Sequence, residues 1–341
     1  AIVDYNKNHA SYKNDNKIVS STQDSSNEAA IGTIIGYAKG KWSDSTTRMG
    51  GVHGVAGMSS ATKTALQNKP SEINFGVDVE MSAKYAEVNG TKFNPVAYVA
   101  DGGKITAKNT KAYGYGSVIA YSKDGGDIAI TGNIEAKDEW AANDAATALE
   151  KNKNIGAYAD GAGSKVTVSG DATINGLGAL ANGSGATVNL RGTGNTINTG
   201  TSGALVAQNG GVVNFYGGTI VNKDNSSARG LSENDHKNVT PFYAKGIGGA
   251  TDGTIVFQPK TGGVATKIEM YDGVVIADDP SQYEASAIAT TGRYKGLENV
   301  DIDIKNNDVI MGVYDDTGKT RTWYNSTDTG TAPATFTSGL E

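Results

Sequence analysis

The sequence predicts an all-β chain, a parallel β-helix (β-solenoid) with short helical and loop insertions. Three observations predict it. Six β-branched anchors recur at nearly one interval: Ile105, Ile128, Val166, Val188, Val213 and Ile255. A fixed period of roughly 20–50 residues marks stacked structural units. Around four of these anchors the surroundings recur as well, with a Gly two or three residues ahead, an apolar residue at plus two and a Gly at plus four (Gly132, Gly170, Gly192, Gly217). A second apolar anchor follows at Ile134, Ile174, Ile197 and Ile220, the last three spaced by 23 residues each. Third, the chain holds 46 Gly against 6 Pro and no cysteine, and Val, Ile, Thr and Tyr dominate its regular stretches. That is the composition of short strands joined by tight turns.

Taken in order, residues 4–30 are rich in Asn, Lys, Ser and Asp and are expected to be irregular. Between 31 and 95, segments 31–37 and 73–79 are strand-like among insertions. The clearest rungs run from 96 to 222. Tyr98-Val99-Ala100 turns at Asp101-Gly102-Gly103 into Ile105, and the next rung turns at Asp124-Gly125-Gly126 into Ile128. Ala157-Tyr158-Ala159 turns at Asp160-Gly161-Ala162-Gly163 into Val166, Ala179-Leu180-Ala181 at Asn182-Gly183 into Val188, and Leu205-Val206-Ala207 at Asn209-Gly210-Gly211 into Val213. Asp-Gly and Asn-Gly supply the positive φ of a sharp corner. Apolar residues alternate with Thr, Asn or Lys, so each strand buries one face. Strands this short bury a core only by stacking, and about 11–13 rungs would give a rod on the order of 50–60 Å at roughly 4.8 Å per rung. Asn175, Asn198 and Asn222 are expected to stack as an amide ladder.

Two intervals break the period. Segment 138–153 places Trp140, Ala141, Ala145, Ala148 and Leu149 on one helical face, with Asp138 at the start and Lys151 and Lys153 in the last turn. It reads as a short flanking helix. Segment 223–240 is polar and includes Arg229, Glu233, Asp235 and His236, and it reads as a protruding loop. After Ile255 a weaker pattern continues to about 315, with Pro259 breaking the template. The whole of 1–341 reads as one elongated body. The opening Ala1-Ile2-Val3 reads as the start of a mature or truncated chain, and Leu340-Glu341 as a cloning scar.

The chemistry is thin. His9, His53 and His236 lack ligand spacing, and the Asp301-Ile302-Asp303-Ile304 run alternates as a half-exposed strand does. No nucleophile elbow or protease signature occurs, and Asp278-Asp279 and Asp315-Asp316 are adjacent pairs that a strand would send to opposite faces. Neither catalysis, a cofactor nor a metal is therefore expected. The net charge of −6 comes from 30 basic and 36 acidic residues, well mixed, so nucleic acid is not an expected partner. Sixteen tyrosines remain, of which Tyr113, Tyr115 and Tyr121 are close in sequence and suit stacking on a sugar or anchoring an interface.

The rung pattern Gly-Gly-x-Val-x-Val-x-Gly-x-x-Ile, with Ala-Leu/Tyr-x-Ala before each turn, resembles passenger domains of Gram-negative type V autotransporters. It is most similar to the large, Cys-free adhesins of anaerobic oral bacteria. The resemblance covers about 96–222, with weaker continuity to 315. It implies export through a C-terminal β-barrel outside this sequence, a place at the cell surface, and attachment to other microbes or host cells through a protein or glycan receptor. The expected function is accordingly that of a monomeric adhesin fragment. Its expected binding elements are 223–240 (Arg229, Glu233, Asp235, His236), 138–153 (Trp140), and Tyr113, Tyr115 and Tyr121. The alternatives are a pore-forming or cytotoxic passenger, for which 29–36 is the one apolar candidate segment, and a polysaccharide-active enzyme.

Overall fold

The computed structural model describes residues 10–13, 17–21, 34–40, 70–82, 86–88, 91–93, 95–113, 116–137, 154–199, 203–222, 242–245, 250–259, 265–270, 293–295, 299–304, 310–314, 321–325 and 335–336. The described elements are strands, and nearly all of their pairing is parallel. Parallel pairing needs a crossover between partners. Here the crossover is made by two other strands, so the chain visits three ladders in rotation.

The first, the anchor ladder, has eight strands: Glu72–Asn74, Lys104–Ala107, Asp127–Ile130, Lys165–Val168, Thr187–Leu190, Val212–Phe215, Thr254–Phe257 and Arg293–Lys295. Its register sets Ile73, Ile105, Ile128, Val166, Val188, Val213 and Ile255 in one line. The six anchors read from the sequence are thus direct neighbours, and all are buried. Each contributes about 1.5–3 kcal/mol by burial. A second inward line runs Ala107, Ile130, Val168, Leu190, Phe215, Phe257 and fills the rest of the rung. Among the described residues this ladder has eight strands.

The second, the tyrosine ladder, joins Ile34–Lys39, Val96–Asp101, Val118–Lys123, Asn154–Asp160, the second half of Ala172–Asn182, Leu205–Gln208 and Phe242–Lys245. The third, the isoleucine ladder, joins Lys17–Ser21, Asp78–Ser82, Thr110–Tyr113, Ile134–Lys137, the first half of Ala172–Asn182, Asn195–Thr199, Gly218–Asn222, Thr266–Met270 and Val300–Ile304. The second apolar anchor does not hold one register throughout this ladder. Ile174, Ile197, Ile220 and Ile268 are in line, but Ile134 opposes Ala172, and Ala136 takes the place opposite Ile174. A two-residue shift keeps a side chain on the same face, so Ile134 is still buried.

Local chemistry makes the corners. After Lys123, Asp124 (φ 52°) and Gly125 (φ 78°) are both left-handed, and the Gly126 N–H donates to Lys123 O at 2.9 Å. This is a type I′ turn. Asn209 and Gly210 repeat it, with Gly211 N–H on Gln208 O at 2.8 Å. Between the anchor and isoleucine ladders the corner is a stack of Asx side chains. Asn109 Oδ1 accepts the Asn133 N–H at 2.9 Å, Asn133 Oδ1 the Asp171 N–H at 2.8 Å, and Asp171 Oδ1 the Gly194 N–H at 2.9 Å. The plus-four glycines have their reason here. A Cβ on Gly132, Gly170 or Gly192 would strike Asn109, Asn133 or Asp171 respectively.

The expected amide ladder is half right. Asn198 Nδ2 donates to Asn175 Oδ1 at 3.0 Å, but Asn222 is in register with Thr199 and lies outside it. A second such ladder runs up the outer face of the anchor strands, from Thr167 through Asn189 to Asn214 at 3.2 and 2.9 Å. The N-terminal segment expected to be irregular instead contains the antiparallel pair Ala10–Lys13 and Lys17–Ser21, whose second strand extends the isoleucine ladder at Asp78–Ser82. An open parallel edge offers unpaired N–H and C=O groups, and this pair covers it. Segment 73–79 splits between two ladders, as Glu72–Asn74 and Asp78–Ser82. Beyond 304, Ile310–Tyr314 leaves the ladders and pairs antiparallel with Arg321–Asn325.

Candidate binding surface

Three of the long intervals share a corner. Each leaves the isoleucine ladder, after Ser82, Lys137 or Asn222, and returns at the start of the tyrosine ladder, at Val96, Asn154 or Phe242. The first of them holds an antiparallel pair, Ala86–Val88 with Thr91–Phe93. Interval 41–69 departs from a different corner, after Lys39. The points where these three intervals leave and return therefore share one edge of the ladders.

The tyrosine ladder begins at that edge, and its register builds three outward columns. Nearest the insertions stand Ile34, Val96, Val118, Ile155 and Leu177, and Ile34 is 37% exposed. Next come Tyr37, Val99, Tyr121, Tyr158, Leu180 and Val206. The third column, beside the Asp-Gly turns, reads Lys39, Asp101, Lys123, Asp160, Asn182 and Gln208. An aromatic and aliphatic band is therefore edged by charge, and Tyr37, Tyr121 and Tyr158 are each half-buried.

Tyr121 and Tyr158 are stacked, with ring centroids 4.8 Å apart and planes 27° apart. The Tyr121 hydroxyl donates to Asp160 Oδ2 at 3.3 Å, and the Tyr37 hydroxyl donates to Asp101 Oδ2 at 2.5 Å. Asn182 Nδ2 donates to Asp160 Oδ1 at 2.9 Å, and Asn209 Nδ2 donates to Asn182 Oδ1 at 2.7 Å. Lys123 Nζ lies 3.1 Å from Asp101 and 3.5 Å from Asp124. Burial, then the Asp160 charge, then Tyr158, push the Tyr121 phenol above its ordinary value. Burial alone would raise Asp101, but the Tyr37 hydroxyl and the Lys123 ammonium outweigh it and hold its carboxyl below the usual range.

That balance gives a pH prediction. A depressed carboxylate contributes stability above its unfolded value, about 3.9 for aspartate, and loses it as pH falls through the folded value. Wild type should therefore lose stability with falling pH more steeply below about pH 4 than Asp101→Asn. Urea midpoints from pH 6 down to pH 2 check this, and equal slopes would remove Asp101 from the acid response.

Of the residues expected to bind, Tyr121 lies in this cluster. Tyr113 stands on the isoleucine ladder, half-buried and in register between Ser82 and Lys137, so the two are not joined in one patch. Trp140, Tyr115, Arg229, Glu233, Asp235 and His236 lie outside the described residues, as do 138–153 and 223–240. Tyr37, Tyr158, Asp101 and Asp160 were not singled out as binding residues. The signal was a Tyr, a small residue and a charged residue ahead of the glycine turn, at 37–39, 121–123 and 158–160. Among the described residues no group of three or more His, Asp or Glu is placed to hold a metal ion, and no helix is long and apolar enough to cross a membrane. Comparison with family models, with curated proteins and with solved structures returns no match.

Proposed function

We propose that this chain is a parallel β-helix serving as an attachment protein, the passenger of a type V autotransporter at the bacterial surface. Rotation through three parallel ladders supports the β-helical reading, since each circuit adds one strand to every ladder. The passenger reading rests on the rung motif and its resemblance. The observation that carries attachment is the shared corner: three long intervals leave and re-enter the ladders beside the half-exposed aromatic band. Binding residues concentrate on segments held by a rigid scaffold, and half-buried tyrosines at an interface combine apolar area with a polar tip.

The test is attachment of the folded chain to panels of bacterial cells, epithelial cells and immobilised glycans. Saturable attachment to at least one of these is expected, reduced when 223–240 is replaced by a short Gly-Ser linker that preserves the β-sheet circular dichroism. Absence of saturable attachment to every surface would overturn the reading. Undiminished attachment of the deletion variant would sink the assignment of 223–240 alone.

A further inference from the structure

The charged column on the tyrosine ladder contains one carboxylate, Asp160, that no cation meets among the described residues. Lys123 is in register with Asp160 but is turned to Asp101 and Asp124, at 3.1 and 3.5 Å. One rung on, where alternation would bring another lysine, stands Asn182. Among the described residues no Lys or Arg pairs with Asp160, whose side-chain partners are the Tyr121 and Tyr158 hydroxyls and Asn182 Nδ2. Among the described residues, Lys123 thus serves Asp101 and Asp124 and leaves Asp160 without a paired ammonium. A carboxylate beside half-buried rings is screened less than one in open water, so its field reaches an approaching charge.

The aromatic pair beside it has the complementary chemistry. The 4.8 Å centroid separation exceeds the carbon–carbon contact distance of about 3.5–4.0 Å. The rings are therefore not in full face-to-face contact, and both remain half-buried rather than enclosed. A ring face attracts a cation through its quadrupole, by about 0.5–1 kcal/mol at an exposed site and about 2 when desolvated. The donors here are already engaged: the Tyr121 and Tyr158 hydroxyls and Asn182 Nδ2 on Asp160, and Asn209 Nδ2 on Asn182. What remains is ring surface and carboxylate lone pairs, which suit a donor-rich cation better than the mixed hydroxyls of a sugar.

We infer that the Tyr121–Tyr158–Asp160 cluster binds a lysine or arginine side chain presented by a protein partner. The inference deepens the attachment reading and rests on it for its biological setting, but its chemistry is testable alone. The ammonium or guanidinium donates to Asp160 while its alkyl stem lies along Tyr158, Leu180 and Val206.

The probe is a short Ser/Gly peptide with one central lysine, compared with the same peptide bearing Nε-acetyl-lysine, titrated into the folded full chain. Tyrosine ring resonances give the readout. Saturable shifts at Tyr121 and Tyr158 are expected with the lysine peptide. The affinity should fall about tenfold on acetylation or in Asp160→Asn, a loss of about 1.4 kcal/mol, and should weaken as salt rises. Asp160→Asn keeps the size of the side chain, and the acetylated peptide needs no variant at all. Equal binding of the two peptides, an unchanged affinity in Asp160→Asn, or no ring shift with the lysine peptide would each overturn the inference. A chain that attaches to cells but ignores the peptide overturns only this inference. One that binds the peptide yet attaches to no cell or glycan overturns only the attachment reading.

Discussion

Replacing Gly126 with alanine is expected to destabilise the chain by about 3 kcal/mol or more. Gly126 closes the turn after Lys123, where the chain passes under the preceding rung. A Cβ there would overlap the Ala100 carbonyl oxygen, and it would lie 2.7 Å from Ala100 C and 2.9 Å from Ala100 Cβ. The obstacle is backbone already held in the tyrosine ladder, so no side-chain rotation relieves it. Gly103, Gly211 and Gly253 meet Ala38, Ala181 and Ala207 in the same way, which makes this a property of the corner rather than of one site. Because each rung touches mainly its neighbours, protection of backbone amides from exchange should fall first at Val96–Asp101 and Lys165–Val168. The control is Gly76→Ala, where a Cβ would meet nothing within 4 Å. That variant should be neutral or gain up to about 1 kcal/mol from a less flexible unfolded chain. Urea midpoints of the two variants decide it, and equal effects would dismiss the corner argument.

Asn195→Ala is expected to cost about 3 kcal/mol or more, although it removes a polar side chain from the interior. Asn195 is 1% exposed and binds three rungs together. Its Oδ1 accepts the Ala172 N–H at 2.8 Å, and its Nδ2 donates to Gly192 O at 2.6 Å and Gly217 O at 2.8 Å. Truncation leaves one buried N–H and two buried carbonyls short of a partner, and each orphan costs about 1–3 kcal/mol. Asn198→Ala is the comparison. Asn198 is half-buried, its amide bonds a neighbouring side chain at 3.0 Å, and water replaces that bond, so about 1 kcal/mol or less is expected. Thermal or urea unfolding of the two variants measures the difference. A loss at Asn195 no larger than that at Asn198 would show that the three-rung bridge is not a stabilising element.

Much of the scaffold was legible because it is written locally. Ile105 through Ile255 line up as their spacing implied, and Asp124-Gly125 and Asn209-Gly210 adopt the left-handed pairs that their chemistry favours. The role of Asn195 was not legible. Its place two residues before Ile197 marks it as inward, unlike Asn175 and Asn198, but only the stacking of Gly192 and Gly217 against it makes it a bridge. Ile134 shows the limit of pattern reading in a strand. Inward positions recur every second residue, so Ile134 and Ala136 both satisfied the apolar template, and only pairing with Ala172 and Ile174 chose between them.

The candidate binding surface divides along the same line. The sequence by itself determined a β-rich chain of repeating units, the anchor register and the glycine corners, because these depend on side-chain periodicity and on backbone conformations open to Gly, Asn and Asp. Only the tertiary structure decided that Tyr121 stacks on Tyr158, that Lys123 turns to Asp101 and away from Asp160, and that three insertions share one corner. The physical reason is that intervals between rungs vary in length while strand pairing is non-local. A column of outward side chains is defined only once hydrogen-bonded ladders have set each strand against the next.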